Sequence, residues 1–311
     1  MTALLRVLAA VAAALPWRIL RVVGAAVGWV AGGLLRIRRF HVEAAMLTAG
    51  IDRPRAEARA MYESLGASAL EILHVAARGH MALRHVRIDP ASEPRWKDAL
   101  RQGRGVVVAA SHTGNWDLAA CAVARDVELL VVTKRLRLQS IDAFWQGARA
   151  SLGVQLAEAE GALSRAREVL KRGGAVAMMI DQVPASRGHA IEVEFLGQGA
   201  LADRSPAALA AACRAPLVVA ASCRESSGEH VIFVLDVLHP PMRPSRAWVI
   251  AATEAATRAL DAFVHAHPSQ WLWLHRRWKR LDHTGRRGTL ASSCPPGPTR
   301  WSSPAEPSTA A

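Results

Sequence analysis

The sequence predicts an α/β fold, with a mostly parallel sheet flanked by helices and with membrane-associated helices at the N-terminus. From Gly105 onward, short β-branched runs alternate with alanine-rich stretches, and this alternation is typical of a parallel sheet with helical crossovers. An apolar stretch, Leu4 to Leu35, precedes them. With 311 residues, of which 51% are hydrophobic, the chain is long enough to bury a substantial core.

The N-terminal apolar stretch is divided by Pro16 and interrupted by arginines, among them Arg18 and Arg21. Each uninterrupted piece is therefore shorter than the roughly 20 residues that a spanning helix needs. Three arginines follow within residues 36–39, and basic residues beside an apolar segment are typical of the cytoplasmic side of a membrane. We expect residues 1–40 to form a membrane-embedded or interfacial anchor. A buried amphipathic hairpin is the alternative.

We expect residues 41–281 to form the α/β domain. Its predicted strands are Gly105–Ala110, Val127–Thr133, Ala175–Ile180 and Leu217–Ala221, with further candidates at Ile191–Phe195 and Val231–Leu238. Its predicted helices are Pro54–Ala82, Leu118–Ala124, Ile141–Leu152, Leu163–Lys171, Pro206–Cys213 and Ala247–His265. Residues 282–311 are rich in Gly, Pro, Ser and Thr without periodicity, and we expect a disordered tail there.

The formal net charge of +13 predicts attraction to an anionic partner, such as a membrane surface or an acidic protein. An arginine- and alanine-rich composition from GC-rich coding is the alternative explanation. Nucleic acid is not an expected partner, because the chain has no zinc-finger spacing, aromatic RNA-binding motif or lysine-rich arm. The four cysteines lie far apart, which argues against a zinc site or a disulfide framework.

The stretch SHTGNWD, Ser111–Asp117, follows the first strong strand. Ligands bind at the carboxyl ends of strands in open α/β sheets, so His112 is placed for chemistry. Gly114 and Asn115 both tolerate a turn that would bring Asp117, in the next helix, back to the histidine. A carboxylate there would hold the imidazole in one tautomer and prepare it as a general base. The alternatives are a structural histidine and a carboxylate that stabilises the helix start.

This stretch resembles the HX4D/E motif of the glycerolipid acyltransferase superfamily. Its HTGNW portion resembles the late acyltransferases of lipid A biosynthesis, the lauroyl and myristoyl transferase family. Three further stretches resemble that family in the expected order: AMMIDQ ending at Gln182, GHAIEVEFLG at Gly188–Gly197, and QWLWLHRRWK at Gln270–Lys279. The similarity covers roughly Leu15 to Arg280.

The resemblance implies a membrane-associated acyltransferase at the cytoplasmic face of the cell inner membrane. Such an enzyme moves a fatty acyl chain from acyl carrier protein or acyl-CoA to a hydroxyl of a lipid A precursor or a related glycolipid or phospholipid. His112 would be the base, oriented by Asp117, and the transfer would be direct. The chain has no GxSxG nucleophile motif. We expect no cofactor and no metal.

Six residues are predicted to bind substrate: Asn115, Arg149, Asp181, Gln182, Arg276 and Arg277. Asp181 and Gln182 end a predicted strand near the same rim, where Asp181 would position a sugar hydroxyl or an arginine, or cap the next turn. Arg149 suits a phosphate, with a solvated helix face as the alternative. Arg276 and Arg277 lie among tryptophans, a combination that suits a membrane carrying a phosphorylated glycolipid. Core packing of the tryptophans is the alternative there.

Two other classes of function compete with the acyltransferase. A metal-dependent hydrolase would use His112, Asp117, Asp181 and His189 as ligands, although the adjacent His and Asp pairs typical of such sites are missing. A basic peripheral membrane protein without catalytic activity is the second alternative.

Overall fold

The computed structural model of this chain describes residues 2–134, 136 and 138–278. Its strands are β1 (Val86–Ile88), β2 (Val106–Ala110), β3 (Leu129–Thr133), β4 (Val154–Glu158), β5 (Ala175–Met179), β6 (Ala190–Phe195), β7 (Gln198–Asp203), β8 (Leu217–Arg224) and β9 (His230–Leu238). Seven of them form one sheet in the order β1-β9-β8-β2-β5-β3-β4. Every pairing in this sheet is parallel except that of β8 with β9, and β6 and β7 form a separate antiparallel pair.

The α-helices are α1 (Thr2–Ala14), α2 (Trp17–Trp29), α3 (Arg39–Thr48), α4 (Pro54–Arg78), α5 (Glu93–Arg101), α6 (Trp116–Ala124), α7 (Gln139–Ser151), α8 (Ala162–Lys171), α9 (Ser205–Cys213) and α10 (Arg246–Ala266). The predicted α/β fold, with a mostly parallel sheet flanked by helices, is confirmed.

The central strand β2 is buried on both faces, as expected for a parallel sheet covered by helices. Val107 and Ala109 pack into one core, and Val106 and Val108 pack into the other. This alternation follows from the two-residue period of a strand. The sheet therefore separates two apolar layers.

Strands β1, β4 and β7 were not predicted from the sequence. Strand β1 has only three residues, and β4 lies at an edge of the sheet with the mixed sequence VQLAE. Short and partly polar edge strands lack the continuous apolar run that identified the buried ones. Strand β8 also continues past its predicted end to Arg224, where it still pairs with β9.

The apolar N-terminal helix is longer than the sequence analysis expected. Helix α2 and a π-helical segment, Val30–Leu34, form one helical stretch of 18 residues, Trp17–Leu34, which is long and apolar enough to cross a membrane by length and composition. Arg18 and Arg21 stay within the helix instead of interrupting it. Many large apolar side chains of α1 and α2 are exposed, among them Val7 and Val22.

Helix α2 packs along α4 through glycine contacts. A Cβ atom at Gly28 would overlap the backbone carbonyl of Tyr62, and one at Gly24 would overlap the backbone of Ala67. On α4, Gly66 meets the backbone of α2 in the same way. The two helix backbones approach this closely because these positions have no side chain, as in the small-residue contacts of membrane helices.

Replacing Gly28 by alanine is expected to destabilise the packing of α2 on α4 by about 1–3 kcal/mol, the usual cost of overpacking. The rate of hydrogen exchange at the backbone amides of α2 should rise by the factor that corresponds to this free energy. Gly147→Ala in α7 is the matched control, because no atom lies within 4 Å of the added Cβ. Unchanged exchange in the Gly28 variant would contradict the close helix contact.

The predicted boundary between an anchor over residues 1–40 and an α/β domain stays a prediction. The predicted tail, residues 282–311, lies outside the described residues.

Candidate active site

The carboxyl ends of β2 and β5 bring two predicted site residues together. The strands pair in parallel with Ala110 opposite Met179. His112 and Asp181 each follow two residues beyond those positions, so the register of the sheet places them side by side. The amide of Ile180 still donates to the carbonyl of Ala110 at 2.9 Å, which extends the ladder to the site.

Asp181 is fully buried and accepts three hydrogen bonds. Its Oδ1 lies 2.9 Å from Nδ1 of His112, and its Oδ2 accepts from the backbone amide of His112 at 2.8 Å. The indole Nε1 of Trp271 donates to the same Oδ2 at 2.9 Å. An ionised carboxylate only accepts, so Nδ1 of His112 carries the hydrogen and Nε2 is left with its lone pair.

The two groups shift each other's pKa. Burial alone raises the pKa of Asp181, but the charge and hydrogen bonds of His112 outweigh burial and lower this pKa below its usual value. Burial alone lowers the pKa of His112, but the charge of Asp181 and its hydrogen bond outweigh burial and raise it. A histidine made more basic by a buried carboxylate is suited to take a proton.

Asp117 does not hold the His112 ring, which corrects the expectation from the sequence. Its Oδ1 pairs with Nε of Arg149 at 2.9 Å, and it also hydrogen-bonds Trp145. The first turn of α6 directs this side chain towards α7, which carries both partners. Burial raises the pKa of Asp117 even though the charge of Arg149 opposes the shift.

A cavity of about 460 Å³ opens in front of His112. Predicted site residues His112, Asp117, Arg149 and Gln182 line it. Trp116 also lines it, with its ring edge towards His112 at a centroid distance of 5.0 Å. The cavity therefore has a basic imidazole, a guanidinium and apolar wall residues within one space.

A second histidine, His275, lines the same cavity and was not among the predicted site residues. Its ring lies edge-to-face to that of His112, with centroids 4.9 Å apart. The side-chain nitrogen of Gln182 lies 3.2 Å from Nε2 of His112 and 3.1 Å from Nε2 of His275. Burial lowers the pKa of His275 to about 4, so this ring is neutral near pH 7.

Residues 2–280 match the family model of the bacterial lipid A biosynthesis acyltransferases. The chain belongs to this family. The resemblance of the motifs to the acyltransferases of lipid A biosynthesis is confirmed by this match.

The chain is also similar to phosphatidylinositol mannoside acyltransferases. Those from two strains of Mycobacterium tuberculosis are 28% identical to it over 199 residues, which cover 62% of this chain and 61% of each relative. The one from Mycolicibacterium smegmatis is 25% identical over 199 residues, or 62% of this chain and 63% of the relative. The chain thus matches about three fifths of the length of these curated relatives.

Asn115 does not line the cavity and is only 1% exposed. Its Oδ1 caps α6 by accepting from the amide of Leu118 at 3.3 Å, and its Nδ2 donates to Oε2 of Glu71 at 3.0 Å. Glu71 is fully buried and also pairs with Arg224 and His230. Asn115 therefore helps to hold the loop that carries His112, although it was predicted to bind substrate.

The loop that carries His112 is fixed on its other side as well. Gly114 has a φ of +55°, and a Cβ there would lie 2.7 Å from the carbonyl oxygen of Ser222. The Gly114 amide donates to the carbonyl of Gln270 at 2.8 Å, and the Leu272 amide donates to the carbonyl of His112 at 3.0 Å. Glycine is therefore required at this turn.

The segment around His275 is mostly core, which favours the packing alternative over interfacial tryptophans. Trp271 and Trp273 are 1% and 0% exposed. Arg277, predicted to bind substrate, is also buried, donates to the backbone carbonyls of Gln182 and Leu201, and does not line the cavity. Arg276 is exposed, and Lys279 lies outside the described residues.

A narrow apolar cavity of about 90 Å³ lies between α6 and the sheet. It shares Trp116, Ala120, Val131 and Met179 with the lining of the larger cavity. Its lining is otherwise almost entirely aliphatic, since it runs along one apolar face of the sheet.

A metal-dependent hydrolase, with His112, Asp117, Asp181 and His189 as metal ligands, was one alternative function. Among residues 2–134, 136 and 138–278, no group of three or more His, Cys, Asp or Glu side chains could hold a metal ion. His189 pairs with Ser205 at 3.0 Å and does not line the cavity of His112. Of the four ligands that the hydrolase alternative would use, His189 thus lies apart from the cavity of His112.

Proposed function

We propose that this acyltransferase moves a fatty acyl chain from an acyl thioester to a sugar hydroxyl of a membrane glycolipid, with His112 as general base. The observation that carries the proposal is the His112–Asp181 pair at 2.9 Å, with the opposite nitrogen of the ring in the cavity. A base needs its proton-accepting nitrogen within reach of the hydroxyl and its other nitrogen held in one tautomer. Asp181, and not Asp117, supplies the second requirement.

The transfer is direct. The acceptor oxygen attacks the thioester carbonyl carbon as Nε2 of His112 takes the hydroxyl proton, and the ester C–O bond forms. The tetrahedral intermediate then collapses, the C–S bond breaks, and the imidazolium gives its proton to the leaving thiolate. Asp181 stays ionised throughout and stabilises the imidazolium, as the buried carboxylate does in catalytic triads.

Arg149 is the proposed stabiliser of the negative charge that develops on the thioester oxygen. It lines the cavity beside His112, and its guanidinium is held by Asp117 and lies over Trp145 at 5.6 Å. A preorganised cation in a partly buried site stabilises the oxyanion of the tetrahedral intermediate. Asp117 then acts by fixing the position of Arg149 and not by orienting the base.

The narrow apolar cavity behind Trp116 is the proposed site of the acyl chain. Its lining is almost entirely apolar, with Ser111 and Ser222 as the polar exceptions, so it suits methylene groups better than a sugar. Because it shares Trp116 and Met179 with the cavity of His112, a chain bound there would place its thioester end near the base.

Acyl carrier protein or acyl-CoA is the proposed donor. The acidic surface of a carrier protein or the phosphates of CoA would be attracted to a chain of net charge +13, more strongly at low salt. The relatives are named for a mannose-bearing lipid and the family for lipid A. A sugar hydroxyl on a lipid is common to both, and we propose this class as acceptor.

The cytoplasmic face of the cell inner membrane is the proposed location. The exposed apolar side chains of α1 and α2 and the arginines at 36, 38 and 39 suit an apolar segment with a basic flank. Acyl thioesters are formed in the cytoplasm, so a site next to this flank meets both donor and membrane acceptor.

Lipid mass spectrometry of a host that expresses the full chain tests the proposal. We expect a membrane glycolipid whose mass is greater by one acyl chain, and no such lipid with His112→Ala. His189→Ala is the matched control, since this histidine lies outside the cavity. Purified protein should transfer the same chain from palmitoyl-CoA or palmitoyl-acyl carrier protein. Acyl transfer that survives in His112→Ala would refute the role of this base.

A further inference from the structure

The base nitrogen of His112 is already occupied in the structure. The side-chain nitrogen of Gln182 bridges the Nε2 atoms of His112 and His275 at 3.2 and 3.1 Å. A primary amide has two N–H hydrogens, and two ring nitrogens face it here. The acceptor hydroxyl has to reach the same Nε2 atom. The Gln182 amide therefore occupies the position that the hydroxyl needs.

The direction of this hydrogen bond follows from the neighbouring groups. Asp181 holds the hydrogen of His112 on Nδ1, so Nε2 presents a lone pair. An amide oxygen against that lone pair would be repelled, and the NH₂ group faces it instead. His275 is neutral because burial lowers its pKa to about 4, and with its hydrogen on Nδ1 its Nε2 accepts the second amide hydrogen.

We propose that Gln182 is a positioning residue that guards the base: its amide occupies Nε2 of His112 until the acceptor hydroxyl replaces it, and so keeps water from attacking the bound thioester. The proposal rests on the proposed function of His112. Water at Nε2 would be activated as readily as a sugar hydroxyl. It would attack the carbonyl carbon, the C–S bond would break, and free fatty acid and thiol would form without transfer.

His275 keeps the displaced amide within the site. The segment that carries it is fixed on both sides, because Leu272 donates to the carbonyl of His112 and Arg38 donates to the carbonyl of Leu274 at 3.0 Å. When the hydroxyl takes Nε2, Gln182 keeps its second hydrogen bond and returns once the product leaves. Access of the acceptor hydroxyl to Nε2 of His112 therefore requires movement of the Gln182 side chain only.

The rate of thioester hydrolysis in the absence of any acceptor lipid tests whether Gln182 keeps water from Nε2 of His112. Purified full-length chain is incubated with palmitoyl-CoA or palmitoyl-acyl carrier protein, and the released thiol is measured. Gln182→Ala leaves room for water at Nε2 and is expected to raise hydrolysis about tenfold, the size of one hydrogen-bonded position. Gln182→Leu fills the same space with an apolar group, so hydrolysis by this variant is expected to stay slow. The double variant Gln182→Ala/His112→Ala loses the increase.

Titration of His112 by NMR tests the hydrogen bond itself and needs no substrate. Asp181 and Asp117 raise the pKa of His112, Arg149 lowers it, and His275 is neutral. An amide that donates to Nε2 favours the neutral ring, so Gln182→Leu is expected to raise this pKa by about one unit. Gln182→Glu places a carboxylate there and raises it further. Gln146→Leu, another cavity glutamine, leaves it unchanged.

The outcomes separate the two proposals. An unchanged pKa of His112 in Gln182→Leu, or hydrolysis in Gln182→Ala no faster than in wild type, overturns the guard. Misfolding of a variant is recognised because it would lower hydrolysis and perturb all histidine resonances. If wild-type chain acylates no lipid in a way that depends on His112, the proposed function fails, whatever the titration shows.

Discussion

Replacing Asp181 by asparagine is expected to lower kcat for acyl transfer by about 1,000- to 10,000-fold, as a wrong histidine tautomer does in catalytic triads. The asparagine oxygen would keep the two donors that meet at Oδ2, the His112 amide and the Trp271 indole. Its NH₂ group would then face Nδ1 of His112 and move the ring hydrogen to Nε2. A protonated Nε2 cannot take the hydroxyl proton, although the fold is retained.

Asp117→Asn is the matched variant, since it changes a second buried aspartate that lines the same cavity. It leaves the His112–Asp181 pair intact and weakens the contacts that Asp117 makes with Arg149 and Trp145, so we expect less than about a 100-fold loss of kcat. Both rates are measured with the donor and acceptor identified by lipid mass spectrometry. A larger loss for Asp117→Asn than for Asp181→Asn would contradict the pairing in the structure.

Replacing Glu71 by alanine is expected to destabilise the protein by about 3–5 kcal/mol, the cost of removing one partner from a buried ion pair. The Arg224 side chain is only 8% exposed and would lose its counter-charge. His230 and Asn115 would also lose the oxygen that they contact at 2.9 and 3.0 Å. Unfolding by denaturant, followed by tryptophan fluorescence, measures the loss.

Glu63→Ala is the control on the same helix. Glu63 pairs with Arg59 at 2.7 Å, but both side chains are partly exposed, so this substitution should cost less than about 1 kcal/mol. Equal losses of unfolding free energy in Glu71→Ala and Glu63→Ala would show that burial of the Glu71 ion pairs does not contribute to stability.

The contribution of Glu71 should also depend on pH. Burial raises its pKa, but His230 and Arg224 outweigh burial and lower it from 4.5 to about 2. A lowered folded-state pKa means that the stabilisation is present above pH 4.5 and is lost as the pH falls towards 2. The difference in unfolding free energy between wild type and Glu71→Gln should shrink across that range.

The buried strands were predictable because their apolar runs are continuous and bounded by glycine or polar residues. Strands β2, β3 and β5 lie within two residues of their predicted bounds. The edge strand β4 was not predictable in this way, since only two of its five residues are buried and its sequence mixes polar and apolar residues. The order of strands in the sheet depends on long-range packing that one sequence does not display.

The carboxylate that orients His112 was misassigned for the same reason. Asp117 is near in sequence, and a turn at Gly114 made the pairing with His112 plausible. Asp181 lies 69 residues away, and its place beside His112 follows only from the pairing of β2 with β5. The sequence showed that both aspartates follow strands or turns, but not which strands are neighbours.

His275 was within a recognised motif, yet its tryptophans and arginines suggested a membrane surface. Burial of Trp271 and Arg277 turns the segment inward and brings His275 to the cavity. A histidine between buried tryptophans, in a segment that also matches the family, was the feature that could have identified it.

The distance along the chain between His112, Asp181 and Trp271 has a consequence for biosynthesis. A ribosome makes the chain from its N-terminus at about 5–20 residues per second, so the apolar segment Trp17–Leu34 leaves it well before Asp181 or Trp271 is made. Contacts between such remote residues also form late in folding. The apolar segment therefore emerges before Asp181 and Trp271 exist, and His112 gains the buried carboxylate that it contacts only afterwards.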